Sequence, residues 1–118
     1  MTNDDLVFSV QLDLKPECVD EWKVAVMALI EQMAQESTFV ACYLDQDAQE
    51  PNRFKLFERW AEPSVEAFVA NQFEAKDYRR AYEARLPALL QRPRVTTVLR
   101  GVREWHRGSA RGTPDQGA

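Results

Sequence analysis

The sequence predicts a single α+β domain built as a split βαβ unit, an antiparallel sheet with both helices on one face. Three observations carry that prediction. Alternating and helical-period segments follow one another as strand, helix, strand, strand, helix, strand across residues 6–105. A length of 118 residues accommodates one hydrophobic core. The composition, 45% hydrophobic and 29% charged, is that of an ordinary globular chain and excludes wholesale disorder or a collagen-like repeat.

Residues 6–13 (Leu-Val-Phe-Ser-Val-Gln-Leu-Asp) alternate, with Leu6, Phe8, Val10 and Leu12 on one face, and read as a half-buried strand. Lys15-Pro16-Glu17 then opens a helix: Pro16 fits the first helical position, where its missing N–H costs nothing, and Glu17, Asp20 and Glu21 suit the positive helix end. Val19, Trp22, Val26, Leu29, Ile30 and Met33 continue it as one apolar stripe to about Gln35, and Trp22 and Met33 are read as core only. A second strand covers 39–45, with Phe39, Ala41 and Tyr43 on one side and Val40, Cys42 and Leu44 on the other. Gln46–Asn52 is the hairpin loop, and Arg53–Trp60 the third strand. On that strand Phe54, Leu56, Glu58 and Trp60 share one side; Arg53, Lys55, Phe57 and Arg59 take the other. Glu62-Pro63-Ser64 starts a second helical region carrying Val65, Phe68, Val69, Phe73, Tyr78, Tyr82, Leu86, Leu89 and Leu90, with breaks expected near Phe73–Asp77 and around Pro87. Arg92-Pro93-Arg94 ends it, and Val95–Trp105 is the last strand. From His106 the chain is small, polar and aperiodic, which assigns 1–105 to the domain and 106–118 to a flexible polar tail.

The same residues narrow the function classes. A net charge of −4 and a first strand with Phe8 as its one aromatic disfavour nucleic acid, whose phosphates need a basic face. Cys18 and Cys42 are too few and too far apart for a disulfide scaffold or a metal knuckle, and His106 is the single histidine, so neither a metal site nor a nucleophilic triad is expected. No apolar run approaches the ~18 residues of a membrane span, and the polar start Met1-Thr2-Asn3-Asp4-Asp5 is no signal peptide, so the expected compartment is the cytoplasm. Two helices cover one face of the sheet, yet the second strand is apolar on both; a homodimer packing its open sheet faces together resolves this.

What remains is a pocket between helices and sheet, and Glu58 is the residue that stands out, a carboxylate in the apolar row of Phe54, Leu56 and Trp60. Three readings stand side by side. Glu58 is structural, hydrogen-bonded to a partner such as Asn71, Tyr78 or an arginine; or it is a carboxylate in a dry pocket whose desolvation suits it to proton abstraction; or it is simply exposed to solvent. Asn71 shares a helical face with Phe68, Ala75 and Tyr78, where an amide orients a ligand oxygen or caps the helix break. Tyr78, Tyr82 and Trp60 are residue types that more often pack as core than bind ligand, although each has a polar tip. Arg79 and Arg80 read as a solvated face from which one can reach a ligand anion.

With these residues in hand the chain resembles the antibiotic biosynthesis monooxygenase domain family, small quinol-monooxygenase-like proteins, over about residues 6–105. The resemblance rests on Arg53-Phe54-Lys55-Leu56-Phe57-Glu58-Arg59-Trp60, a strand ending in Glu-x-Trp, followed by Glu66-Ala67-Phe68, Tyr78, the Leu86…Leu89-Leu90 run and Pro93. It implies a ferredoxin-like βαββαβ protomer that dimerises through its sheets into an α/β barrel. It also implies oxidation of a small phenolic, quinol or polyketide-like aromatic substrate by molecular oxygen as co-substrate, with no resident cofactor. Many members carry a histidine where this chain has Asn71 in Val69-Ala70-Asn71-Gln72, and a second near Asp77; neither is present, so a histidine base does not transfer, and the missing iron ligand counts against haem. The resulting assignment makes Glu58 the base or orienting carboxylate, with Asn71 and Tyr78 as oxygen-directed hydrogen bonders. Trp60 and Phe68 become pocket walls, with Tyr82 and Arg79 as further ligand contacts. A non-oxidative isomerase of a small oxygenated metabolite and a non-catalytic dimeric ligand-binding module are the other classes this fold accommodates.

Overall fold

The computed structural model describes residues 5–108, so the part of the expected tail from 109 onward lies outside the described residues. Four strands, β1 (Leu6–Asp13), β2 (Phe39–Gln46), β3 (Arg53–Trp60) and β4 (Val95–Arg100), form one antiparallel sheet in the order β2-β3-β1-β4. Helix α1 (Val19–Met33) follows a 3₁₀ turn at Pro16–Cys18. The second helical region comprises α2 (Val65–Phe68), a π-helical segment at Val69–Glu74 and α3 (Asp77–Leu89). This is the expected α+β, ferredoxin-like arrangement.

The core lies between one sheet face and the helices. Leu6, Phe8, Val10 and Leu12 of β1 and Phe54, Leu56 and Trp60 of β3 meet Trp22, Val26, Leu29 and Met33 of α1 and Tyr82, Leu86 and Leu89 of α3, all buried. The alternation that predicted β1 and β3 therefore sets which side chains are inside, because a period of two sends successive residues to opposite faces. At the end of β1, buried Asp13 accepts a hydrogen bond from Arg53 Nε at 2.7 Å, and Arg92 Nη1 lies 3.4 Å from it. That carboxylate clasps β1, β3 and the segment entering β4.

One expectation about the elements is met, the helix break near Phe73–Asp77, and three need correction. Strict alternation fails in β2, where a bulge between Phe39 and Ala41 puts Phe39, Cys42 and Leu44 together against the core. The break near Phe73–Asp77 takes the form of a wide π-helical turn that ends at Ala75. Helix α3 runs through Pro87 to Leu89, since a proline in the final turn removes a single helical hydrogen bond close to an end that frays anyway. Finally, β4 stops at Arg100 instead of continuing to Trp105: its ladder with β1 ends at the Leu6–Arg100 pair, and one step further the Gly101 N–H donates to the Asp5 carbonyl at 2.9 Å. No helix among the described residues is long and apolar enough to cross a membrane.

Candidate active site

Glu58 sits on the inner face at the middle of the sheet, in register with Phe8 of β1 on one side and Cys42 of β2 on the other. It is 6% exposed. Trp60, two residues on and therefore on the same face, donates its Nε1–H to Glu58 Oε1 at 3.1 Å. The second partner comes from across the layer: Arg79 Nη2 of α3 lies 3.7 Å from the same oxygen. Arg79 is 3% exposed, so the solvated-face reading is corrected for this residue; Arg80 does lie outside, bonded to Glu74 and Asp77. The reason is helical spacing, which puts Arg79 on the stripe of Tyr82, Leu86 and Leu89.

The guanidinium is held by rings. Its carbon stands 4.7 Å from the Phe73 centroid, 5.4 Å from Phe68 and 6.0 Å from Trp60. Phe68 in turn packs on Phe8 at 4.7 Å, Trp60 at 5.1 Å and Phe73 at 5.6 Å. The wide turn at Val69–Glu74 is what brings Phe73 back over the arginine. Polar contacts are sparse by comparison. Nη1 points to Met33 Sδ at 3.5 Å, while Nε and Nη2 make no hydrogen bond among the described residues. Those two atoms bound the edge of the guanidinium that presents parallel N–H donors to planar oxygen pairs.

A cavity of about 190 Å³ opens beside this pair, with Glu58, Phe68, Phe73, Arg79 and Tyr82 in its wall. Its size is comparable to a cavity that accommodates a benzene ring. Tyr82 is anchored by a 2.9 Å hydrogen bond from Trp22 Nε1 to its hydroxyl. Burial, with the nearby Glu83 and Glu58 charges, pushes its pKa up to about 12, so it is a neutral phenol at ordinary pH. Burial first and the Glu58 charge second push the Cys42 thiol up to about 12 as well.

Of the residues singled out from sequence, Glu58, Trp60, Phe68, Arg79 and Tyr82 come together. Asn71 and Tyr78 are not brought to the cavity wall, and the expectation of Trp60 as a pocket wall is corrected as well: its indole is spent on the Glu58 hydrogen bond and on edge-on packing against Phe68. Asn71 Nδ2 donates to Glu62 Oε1 at 3.3 Å, and Thr38 Oγ1 donates to the other oxygen of Glu62 at 2.7 Å, which ties the π-helical turn to the start of β2. The Tyr78 hydroxyl donates to Glu36 Oε2 at 2.8 Å, and burial together with that contact pushes its pKa up to about 12. Both groups are committed to carboxylates elsewhere. Sequence reasoning missed Glu83, Arg94 and Thr96, which complete the wall. Glu83 follows Arg79 by four residues on α3, a spacing that would have marked it. Among the described residues no group of three or more His, Cys, Asp or Glu is arranged to hold a metal ion.

The family model for antibiotic biosynthesis monooxygenase matches residues 6–84, from β1 into α3, a span that contains all five of the assembled residues. The chain is similar to the solved structure of a conserved protein from Methanosarcina mazei Go1, with 18% identity, 83% of this chain and 93% of that one covered, and a TM-score of 0.73. Rv0793 from Mycobacterium tuberculosis gives 22% identity, coverage of 80% and 92%, and a TM-score of 0.70. A structure described as an antibiotic biosynthesis monooxygenase gives 22% identity, coverage of 80% and 95%, and a TM-score of 0.69. At such identities these likenesses establish the fold. No curated protein matches the chain. Strand motif, topology and family model agree, and the chain belongs to the antibiotic biosynthesis monooxygenase family.

Proposed function

We propose that this protein is a cofactor-independent monooxygenase acting on a small phenolic or quinol-type aromatic substrate. The observation that carries the reading is a buried carboxylate on a ring-sized cavity, next to a buried guanidinium with two N–H groups that lack acceptors. A phenol bound there gives its proton to Glu58, and the negative charge passes to the phenolate oxygen. Arg79 lies beside the charge both before and after the transfer, so no unpaired charge is created in the low-dielectric interior. The aromatic walls exclude water, and Arg79 supplies preorganised donors where the oxyanion develops.

The electron-rich phenolate then reacts with oxygen. For a phenol with a free para position, phenol and O₂ give para-quinone and water. The carbon–hydrogen bond is replaced by C=O, and the substrate supplies all four electrons that oxygen accepts. The balance closes without an external reductant, which supports a reaction needing no resident cofactor. The family resemblance supports the same class of chemistry, and two free cysteines suit a reducing cytoplasm.

We also propose that the working unit is a homodimer joined through the open sheet faces. Tyr43, Phe57 and Leu99 are exposed apolar residues on that face, opposite the helices. Asp45 and Lys55 are register partners there, so a second copy related by a two-fold axis can set acid against base. The test of function is oxygen uptake with a panel of one-ring phenols and quinols. Wild-type protein is expected to consume oxygen and release quinone, and the Glu58→Gln, Arg79→Met pair of substitutions to abolish both. Product formed equally well under nitrogen would replace this reading with an isomerase.

A further inference from the structure

Arg94, in the segment between α3 and β4, meets Glu83 of α3 in a two-armed ion pair, Nη1 to Oε2 at 2.9 Å and Nη2 to Oε1 at 2.5 Å. Behind this pair lies the cavity beside Glu58. In front of it lies a second space, a groove of about 430 Å³ lined by Leu86, Pro87, Leu90 and Pro93 among others. Glu83 and Arg94 are the two residues that border both spaces. The rest of the inner wall is largely packed core, including Phe8, Leu12, Leu29, Leu56 and Phe68, which close packing holds in place. The pair itself is only partly covered, with side-chain exposures of 24% and 32%. Both partners are long side chains with several rotatable bonds each.

We propose that the Glu83–Arg94 pair is the threshold of the ligand cavity: ligand passes between groove and cavity when the pair parts, and the closed pair sets the size of ligand the cavity retains. Closed, the inner space suits a single substituted ring. Open, it joins a larger groove with apolar walls, and the ligand class extends to elongated aromatics with one ring beside Glu58 and the remainder along Leu86 and Pro93. The inference rests on the cavity being the ligand site, as the proposed function has it, but not on any oxidation taking place there.

Benzene exchange tests it, because benzene has no ionisable or oxidisable group for Glu58 to act on. Saturation transfer in the NMR spectrum gives the rate at which free and bound benzene interchange. Glu83→Gln keeps the shape and breaks the pair, and is expected to raise that rate about fivefold, the scale of a partly exposed ion pair. The exchanged pair Glu83→Arg with Arg94→Glu restores an opposite-charge contact and is expected to return the rate toward wild type. In unmodified protein, raising the ionic strength is expected to speed exchange, while leaving the Glu83→Gln rate unchanged. Equal rates in all proteins at all salt concentrations would overturn the threshold, and so would failure of wild-type protein to bind benzene at all. Gated exchange in a protein that oxidises no phenol would leave the threshold standing and remove only the catalytic reading.

Discussion

Removing the Glu58 carboxylate leaves Arg79 a buried cation with one sulfur contact and three ring faces for company, so stability and chemistry change together at this position. Glu58→Gln and Arg79→Met are each expected to cost about 3 kcal/mol, because each strands an uncompensated polar partner. The double variant is expected to recover most of that loss in urea unfolding while remaining inactive, and additive losses would mean the two groups do not act as a pair. Cys42 reports on the same environment: with its thiol pushed up to about 12, it should resist iodoacetamide at about pH 8.5 in folded protein and react once unfolded. Mass spectrometry of the modified peptide reads the result, and rapid labelling of the folded chain would contradict the dry surroundings described for Glu58. The carboxylate was legible in the sequence because strand alternation places it in an apolar row. Its arginine was half legible: the spacing to Tyr82, Leu86 and Leu89 marks the inner stripe, but the charge argues for solvent. The partners of Asn71 and Tyr78 were not legible, since Glu62 and Glu36 belong to separate segments that only the folded chain brings near.

Strands and helices followed their periods closely, and they departed where a local exception met a tertiary demand. The β2 bulge turns Phe39 inward to meet Trp60 edge-on at 5.3 Å, a contact that no alternation rule anticipates. The π-helical turn exists between a capped start, where the Ser64 hydroxyl accepts from the Ala67 N–H at 3.1 Å, and the start of α3 at Asp77. Asp13 is the clearest case of elements joined by one side chain. Burial alone would raise its pKa, but the Arg53 and Gln11 hydrogen bonds and the Arg53 and Arg92 charges outweigh that and hold it below the ordinary aspartate value. A depressed carboxylate contributes stability above its unfolded pKa and loses it as pH falls through the folded value. Urea midpoints of the wild type are therefore expected to fall between about pH 5 and pH 2, and those of Asp13→Asn to start lower and fall less. Parallel pH profiles for the two proteins would remove Asp13 as the clasp.

Among the described residues the helices cover one sheet face, and the opposite face carries exposed Tyr43, Phe57 and Leu99, the surface on which the proposed homodimer rests. If the proposed dimer forms there, wild-type protein sediments at twice the chain mass and Phe57→Glu at the mass of one chain, without loss of the helix-side core, because Phe57 points away from it. An unchanged mass would place the contact elsewhere. The bound state of a coloured phenol such as 4-nitrophenol tests the proton-transfer reading most directly. Under nitrogen, at a pH below the phenol's own pKa, wild-type protein is expected to bind it with the absorption of the phenolate, and the Glu58→Gln, Arg79→Met variant to bind it as the neutral form. A bound phenol that stays neutral in wild type, or ionises equally in both, would contradict proton transfer to Glu58 and anion stabilisation by Arg79.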